Sequence, residues 1–309
     1  MSALLLVPAM LLDAALGEPK WLWSRVPHPA VLMGRAVGFA DGRLNAGPQR
    51  RMNGVLAMSG LGGAALLLGW LIHLVPDFGV LEVLVAAILL AQKSLVQHVQ
   101  AVADALRLSL GDGRRSVARI VGRDTAAMDA AAVARAAIES AAENFSDGVI
   151  APAFWFLIGG LPGLLLYKIT NTADSMIGHR TPQYAQFGWA AARFDDVLNL
   201  VPARLTALII AVVHGRWQAG AVIMRDAGLH RSPNAGWPEA AMAVVLNLSL
   251  SGPRSYGGVM TDFPYVYPEG RRDAGPGDID ASVGVLWRSW FGFLMATVVL
   301  ALVYGVGSR

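Results

Sequence analysis

The alternation of apolar and polar stretches predicts a chain built from helices that repeatedly enter a bilayer. From Val55 to Val75 about twenty residues pass without a charge, His73 being the only titratable group. At about 1.5 Å of rise per residue this run crosses about 30 Å of hydrocarbon. A second run of this kind spans Trp290–Val306. A third, Val80 to about Ala91, carries Glu82 and continues as "QKSLVQHVQAVADALRLSL", whose apolar positions recur with a helical period and predict an amphipathic helix leaving the bilayer. Met1–Leu16, Val149–Tyr167 and Leu200–His214 are weaker segments. Pro152, Gly159, Gly160 and Pro162 interrupt Val149–Tyr167, which suits a re-entrant or protein-buried element better than a simple crossing.

The predicted fold class is therefore all-α: a polytopic membrane protein with about four to six apolar membrane segments, some re-entrant, plus cytoplasmic helices and loops. Residues 1–309 read as one integral membrane domain, with an amphipathic cytoplasmic helical region at 92–148 and a cytoplasmic loop and helix region at 215–286. Composition agrees, since 55% of the residues are hydrophobic and 15% charged, against about 25% charged in soluble domains. The absence of cysteine excludes thiolate catalysis, Cys-ligated metals and disulfides. Met1–Leu16 lacks a basic leader, contains Asp13 and has no small-residue cleavage site, so it reads as an anchor.

The net charge of +3 comes without a basic block, which argues against nucleic acid and leaves topology as its meaning. The cations of Gly17–Asn53, Gln92–Gly148 and Gly215–Arg288 place all three stretches in the cytoplasm. The short, cation-free turn Pro76–Gly79 then opens outward. Lys168–Asn199 reads as a loop, and its polar content is unlike that of a bland external one.

Candidate chemistry lies in three places. In "ESAAENFSDG", Arg135, Glu139, Glu143 and Asp147 recur every four residues and share one helical face. A solvated, salt-bridged face with an Arg135–Glu139 pair is the plain structural explanation. Carboxylates at a membrane interface, however, are costly without cations or metal. "NTADSM" supplies Asn171 and Asp174, and "ARFDDVLNLVPARL" supplies Arg193, Asp195, Asp196, Asn199 and Arg204, with Pro202 set to kink or end the helix. Acidic clusters flanked by arginine are the usual means of holding Mg²⁺ and phosphate. No GxxxxGK[ST] or GxGxxG pattern exists, which excludes the common nucleotide loops.

Taken together, "GEPKWLW…HPAVLMGRAV", "GRDT", "IESAAENFSDGVIAPAFW", "YKITNTADSMIGHR", "FGWAAARFDDVLNLVPARL", "DAGLHRSPNAGWPEAAMA" and "GPRSYGG" resemble the CobD/CbiB family, the adenosylcobinamide-phosphate synthases of cobalamin biosynthesis. The motifs run in order from about Asp13 to Gly258. The resemblance implies a multi-pass protein of the bacterial inner membrane with a cytoplasmic active site. It implies a ligase that joins the propionate carboxylate of adenosylcobyric acid to (R)-1-amino-2-propanol or its O-phosphate, with ATP as cosubstrate and Mg²⁺ as cofactor.

Under that resemblance Glu139, Glu143, Asp174, Asp195 and Asp196 are the expected metal ligands. Glu143, Asp147, Lys168, Arg193, His28 and His230 are the expected catalytic groups. Asn144, Asn171, Arg180, Asn199, Arg204, Ser232 and Asn234 are the expected substrate contacts. For His28 and His230 a hydrogen-bonded structural role weighs equally, and for "SPNAGWPE" the plain alternative is a turn before a helix. Pro264–Asp280 reads as a mobile linker, or as a lid over the corrin. Expected partners are the corrinoid, the amine donor and the lipid bilayer, with a homo-oligomer or a complex with other corrin-pathway enzymes left open. Two rival classes are an intramembrane Mg²⁺-diphosphate prenyltransferase, which "NTAD" and "DDVLN" faintly suggest, and a transporter, for which the halves show no internal repeat.

Overall fold

The structure is a computed structural model and describes residues 2–307. In chain order its helices are α1 (Ser2–Leu16), α2 (Lys20–Trp23), α3 (Pro29–Leu44), α4 (Arg50–His73), α5 (Val80–Leu89), α6 (Gln92–Leu108), α7 (Leu110–Val117), α8 (Ala130–Phe145), α9 (Ala151–Ile177), α10 (Trp189–Leu198), α11 (Leu200–Val213), α12 (Gly220–Ala227), α13 (Gly236–Leu246) and α14 (Pro276–Gly307). Four short strands, β1 (Leu250–Ser251), β2 (Arg254–Tyr256), β3 (Val259–Thr261) and β4 (Tyr265–Val266), pair antiparallel as β1 with β4 and β2 with β3.

The fold is all-α and polytopic as the pattern predicts. Among the described residues four stretches are long and apolar enough to cross a membrane: Arg50–His73, Val80–Leu108, Ala130–Ile177 and Pro276–Val303. A fifth arises if Trp189–Leu198 and Leu200–Val213, bent by 43°, form one span. Pro202 lies in the first turn of α11, where its missing N–H costs nothing, so the bend falls at Asn199 and not at the proline itself. Helix α1, with 15 residues, reaches about 22 Å.

The chain forms two compact units. The first comprises Met1–Ala91, Ala151–Asn199 and Ala296–Arg309; the second comprises Gln92–Ile150 and Leu200–Met295. In the first unit α4 packs along α9. A Cβ on Gly69 would sit 2.5 Å from Pro162 Cα, and one on Gly62 3.1 Å from Leu166, so the small residues of α4 let the two backbones close up. The predicted interruption of Val149–Tyr167 is real. At Gly160 the backbone takes φ 60°, ψ −155°, a region open to glycine almost alone, and it breaks α9 beside Pro162.

The second unit buries one face of α6 through Val96, Val99, Val102, Ala103 and Leu106, as its amphipathic pattern requires. It also holds α8, of which the stretch Val133–Ala142 is buried except for Arg135.

Two expectations are corrected. Lys168–Asn199 is largely helical: α9 runs on to Ile177, only residues 178–188 form turns, and Asp174 lies within the last turn of a helix. Pro264–Asp280 is neither linker nor free lid. Its backbone joins β1 through β4 and pairs Arg271 with Leu248. Tyr267 N donates to Asp226 Oδ2 at 3.0 Å, and Arg271 holds Asp278 at 2.7 Å. The charges that suggested a solvated loop are spent on these tethers.

Candidate functional site

In the first unit the polar groups converge on the end of α9 and on α10. Asp195 is 9% exposed. Its Oδ2 accepts from Asn199 Nδ2 at 3.0 Å and its Oδ1 from Asn171 Nδ2 at 3.4 Å, while Tyr167 Oη donates to Asn199 Oδ1 at 3.1 Å. Spacing explains the meeting, since Asp195 and Asn199 are one turn apart and Tyr167 and Asn171 are one turn apart on α9. The carboxylate is thereby fixed in orientation by neutral donors. Asp174 and Asp196 lie within Coulombic reach of it and of each other. Asp196 pairs with the exposed Arg193 at 3.3 Å.

Gly178 makes room for Asp174, because a Cβ there would lie 2.0 Å from Asp174 Oδ1. This group is oxygen-rich and short of cations. Among the described residues, however, no three His, Asp or Glu side chains surround a single point as a complete metal cage would.

Other expected residues of this unit serve the scaffold or stand apart. His28 is the N-cap of α3, its Nδ1 accepting from Ala30 N at 3.1 Å ahead of Pro29, and its ring meets Trp23 edge-on at 4.5 Å. Burial lowers its pKa and the Glu18 charge opposes this. Lys168 is half-buried on α9 within Coulombic reach of His28, and Arg180 is exposed in the 178–188 turns.

In the second unit Glu139 does not pair with Arg135. Its Oε2 takes Arg123 Nη2 at 2.6 Å and lies 3.6 Å from Arg254 Nη1, and its Oε1 accepts Ser251 N at 2.7 Å. The Glu139 and Arg123 side chains are both 8% exposed. Ser251 delivers that N–H from a left-handed backbone, φ 62°, which marks a conformation imposed by its surroundings. Arg135 instead donates to Arg272 O at 3.0 Å.

Arg123, Arg135 and Arg254 line a cavity of about 200 Å³ with Asp124 and Glu139. Asp124 holds its rim by accepting from Ser255 Oγ at 2.6 Å and Gly258 N at 2.7 Å, and the Ser255 hydroxyl is the main cause of its lowered pKa.

Glu143 is exposed, makes no hydrogen bond or ion pair within the described residues, and lies in the field of Glu139, Arg254, Arg123 and Arg231. Directly after α8, Ser146–Ile150, which carries Asp147, winds as a π-helix, a wider turn than the α-helix before it. Asn144 turns back on its own helix, donating to Ser140 O at 2.9 Å.

Arg204 donates to Leu200 O at 2.7 Å and Asn234 Oδ1 at 3.4 Å, and stacks on Trp237. Ser232 Oγ accepts from Asn234 N and Ala235 N at 3.3 Å, the turn before α13 that the plain alternative foresaw. His230 Nδ1 accepts Ser232 N at 3.1 Å, which leaves Nε2 3.9 Å from Glu239 Oε2.

The sequence reading did not single out Arg123, Arg254 or Ser251, and gave Glu239 only a place in a loop. The signal available was their position inside "GRDT", "GPRSYGG" and "SPNAGWPE", short polar motifs between apolar segments.

A family model described as "CobD/Cbib protein" matches residues 6–286. "Cobalamin biosynthesis protein CobD" of Sinorhizobium sp is 50% identical over 316 residues, covering 97% of each chain. The protein of the same name from Rhizobium meliloti (strain 1021) is 50% identical over 97% of this chain and 98% of its own length, and that from Rhodobacter capsulatus 42% identical over 98% and 99%. No solved structure matches. With a family model covering most of the chain and near end-to-end relatives at such identity, this chain belongs to the CobD/CbiB family of cobalamin-biosynthesis proteins.

Proposed function

We propose that this membrane protein is a carbon–nitrogen ligase of cobalamin biosynthesis that joins a corrinoid carboxylate, that of adenosylcobyric acid, to (R)-1-amino-2-propanol or its O-phosphate, using Mg²⁺ and ATP. Family membership gives the pathway. The observation that carries the chemistry is the Asp174, Asp195 and Asp196 group: three carboxylates in mutual field, one clamped by two carboxamides and one by Arg193. Such a set needs a cation, and its donors are all hard oxygens, which fits Mg²⁺. Mg²⁺ characteristically takes one or two carboxylates and fills its shell with water and phosphate oxygens, so one or two of the three aspartates suffice.

One or two of Asp174, Asp195 and Asp196 would hold that ion, and the metal would neutralise charge on the phosphates that activate the carboxylate. Asn171 and Asn199 orient Asp195, Arg193 orients Asp196, and Gly178 leaves Asp174 its place. In the second unit, Arg123 and Arg254, fixed on Glu139, offer guanidinium surface to anionic substrate groups. Positive-inside charge bias supports a cytoplasmic site. The test is incubation of purified protein with adenosylcobyric acid, either amine and Mg-ATP. The expected outcome is a mass-identified amide that disappears when ATP or Mg²⁺ is omitted; no amide in the full mixture would overturn the proposal.

A further inference from the structure

Glu239 is a buried carboxylate with an unmet need. It is 3% exposed, and its Oε1 has no hydrogen-bond partner among the described residues. His230, whose Nε2 lies 3.9 Å from its Oε2, accepts a backbone N–H on the other ring nitrogen and so supplies no counter-charge. The Ser232 N–H on Nδ1 leaves the neutral ring's proton on Nε2, 3.9 Å away, and burial lowers the His230 pKa, as does the nearby Arg254.

The remaining groups around α13 are spoken for or repel. Arg204 on α11 is held by Leu200 O and Trp237, and Asp226 on α12 by Arg225. Arg123 and Arg254 are bound to Glu139 and reach Glu239 through their field, without a hydrogen bond to its Oε1, and Arg231 lies over Tyr256 and Phe263. Glu139 and Glu143 on α8 add like charge. Burial, with the Glu139 charge behind it, raises the Glu239 pKa well above the usual carboxylate range. A buried carboxyl oxygen left without a donor stays costly until something completes it. Glu143, within Coulombic reach of Glu239, is exposed and equally without a bond among the described residues.

We propose that Glu239 and Glu143 form an ammonium-binding subsite that receives a small primary amine. The ammonium supplies the hydrogen-bond donors both carboxyl groups lack, while the arginines whose field reaches them, Arg123, Arg254 and Arg231, suit an anionic group carried on the same molecule. The subsite rests on the ligase reading, in which one substrate is such an amine, and it locates that substrate on α8 and α13 of the second unit. Gly236 supports the placement: a Cβ there would lie 2.7 Å from His230 Cβ, so only glycine lets the 230–235 turn close on the start of α13.

The experiment is calorimetric titration of 1-amino-2-propanol and its O-phosphate into detergent-solubilised full-length protein, with KM for each amine measured alongside. Glu239→Gln and Glu143→Gln are each expected to weaken both amines at least tenfold and to leave the KM for Mg-ATP unchanged. Wild-type amine affinity in folded Glu239→Gln overturns the subsite. Should Glu239→Gln not fold, Glu143→Gln, which removes no bond from the fold, decides by the same criterion. Failure of the ligase reading is separable, because wild-type protein would then bind the amine and make no amide.

Discussion

Replacing Glu139 by Gln tests whether this residue holds the second unit together. The substitution keeps size and lets the Oε1 position still accept the Ser251 N–H at 2.7 Å, but it removes the charge facing Arg123 at 2.6 Å and Arg254 at 3.6 Å. With both side chains of the main pair 8% exposed, solvent cannot replace the lost anion. Removing one partner of a buried pair costs about 3–5 kcal/mol, because the other charge stays buried. At about 2–4 °C per kcal/mol for units of this size, the melting temperature in detergent should fall by about 6 °C or more. The nine tryptophans give the fluorescence signal. Glu139→Gln/Arg123→Gln should lose less than the sum of the single changes by at least about 1 kcal/mol, since the two sites share one interaction. A melting temperature within 2 °C of wild type, or strict additivity, would refute the reasoning and free Glu139 for a metal.

Asp195→Asn puts an amide against Asn171 and Asn199, both of which already donate to that position. Amide synthesis should drop by at least about a hundredfold, equivalent to about 2.7 kcal/mol, and Asp196→Asn should raise the Mg²⁺ concentration for half-maximal rate; normal kinetics in both would return them to a structural role. Gly178→Ala forces a Cβ to within 2.0 Å of Asp174 Oδ1 and should cut kcat with the protein still folded; an unchanged rate argues that Asp174 is not used. For Glu239 the sign follows from its raised pKa. The native state holds the proton more tightly than the unfolded chain, so stability is full below the ordinary value of 4.5 and is lost as pH rises through the folded pKa. Glu239→Gln should therefore melt higher than wild type at pH 8 and equally at pH 4, a stability gained at the expense of amine affinity; the same melting difference at both pH values contradicts this.

Periodic features were legible in the sequence because their partners are near in the chain. The long apolar runs, the break at Gly160 and Pro162, and the turn that brings Asp195 to Asn199 all follow from spacing. The same logic failed for Arg135 and Glu139. The four-residue spacing offers a pair worth a few tenths of a kcal/mol, whereas burial of Glu139 demanded stronger partners, found in Arg123 and Arg254 far outside any helical period. The hairpin of β2 and β3 was readable in principle. "SYGGVM" sets two glycines between short strands, and Gly257 and Gly258 both take positive φ, as the tight mirror-image turn requires.

The central claim is amide synthesis driven by Mg-ATP on the cytoplasmic face, and inverted membrane vesicles carrying the protein test it most directly. With adenosylcobyric acid and the amine supplied, Mg-ATP added outside inverted vesicles should yield amide, right-side-out vesicles should yield none until permeabilised, and Asp195→Asn should be silent in both. Equal synthesis from both orientations, or synthesis by Asp195→Asn at the wild-type rate, would contradict the account.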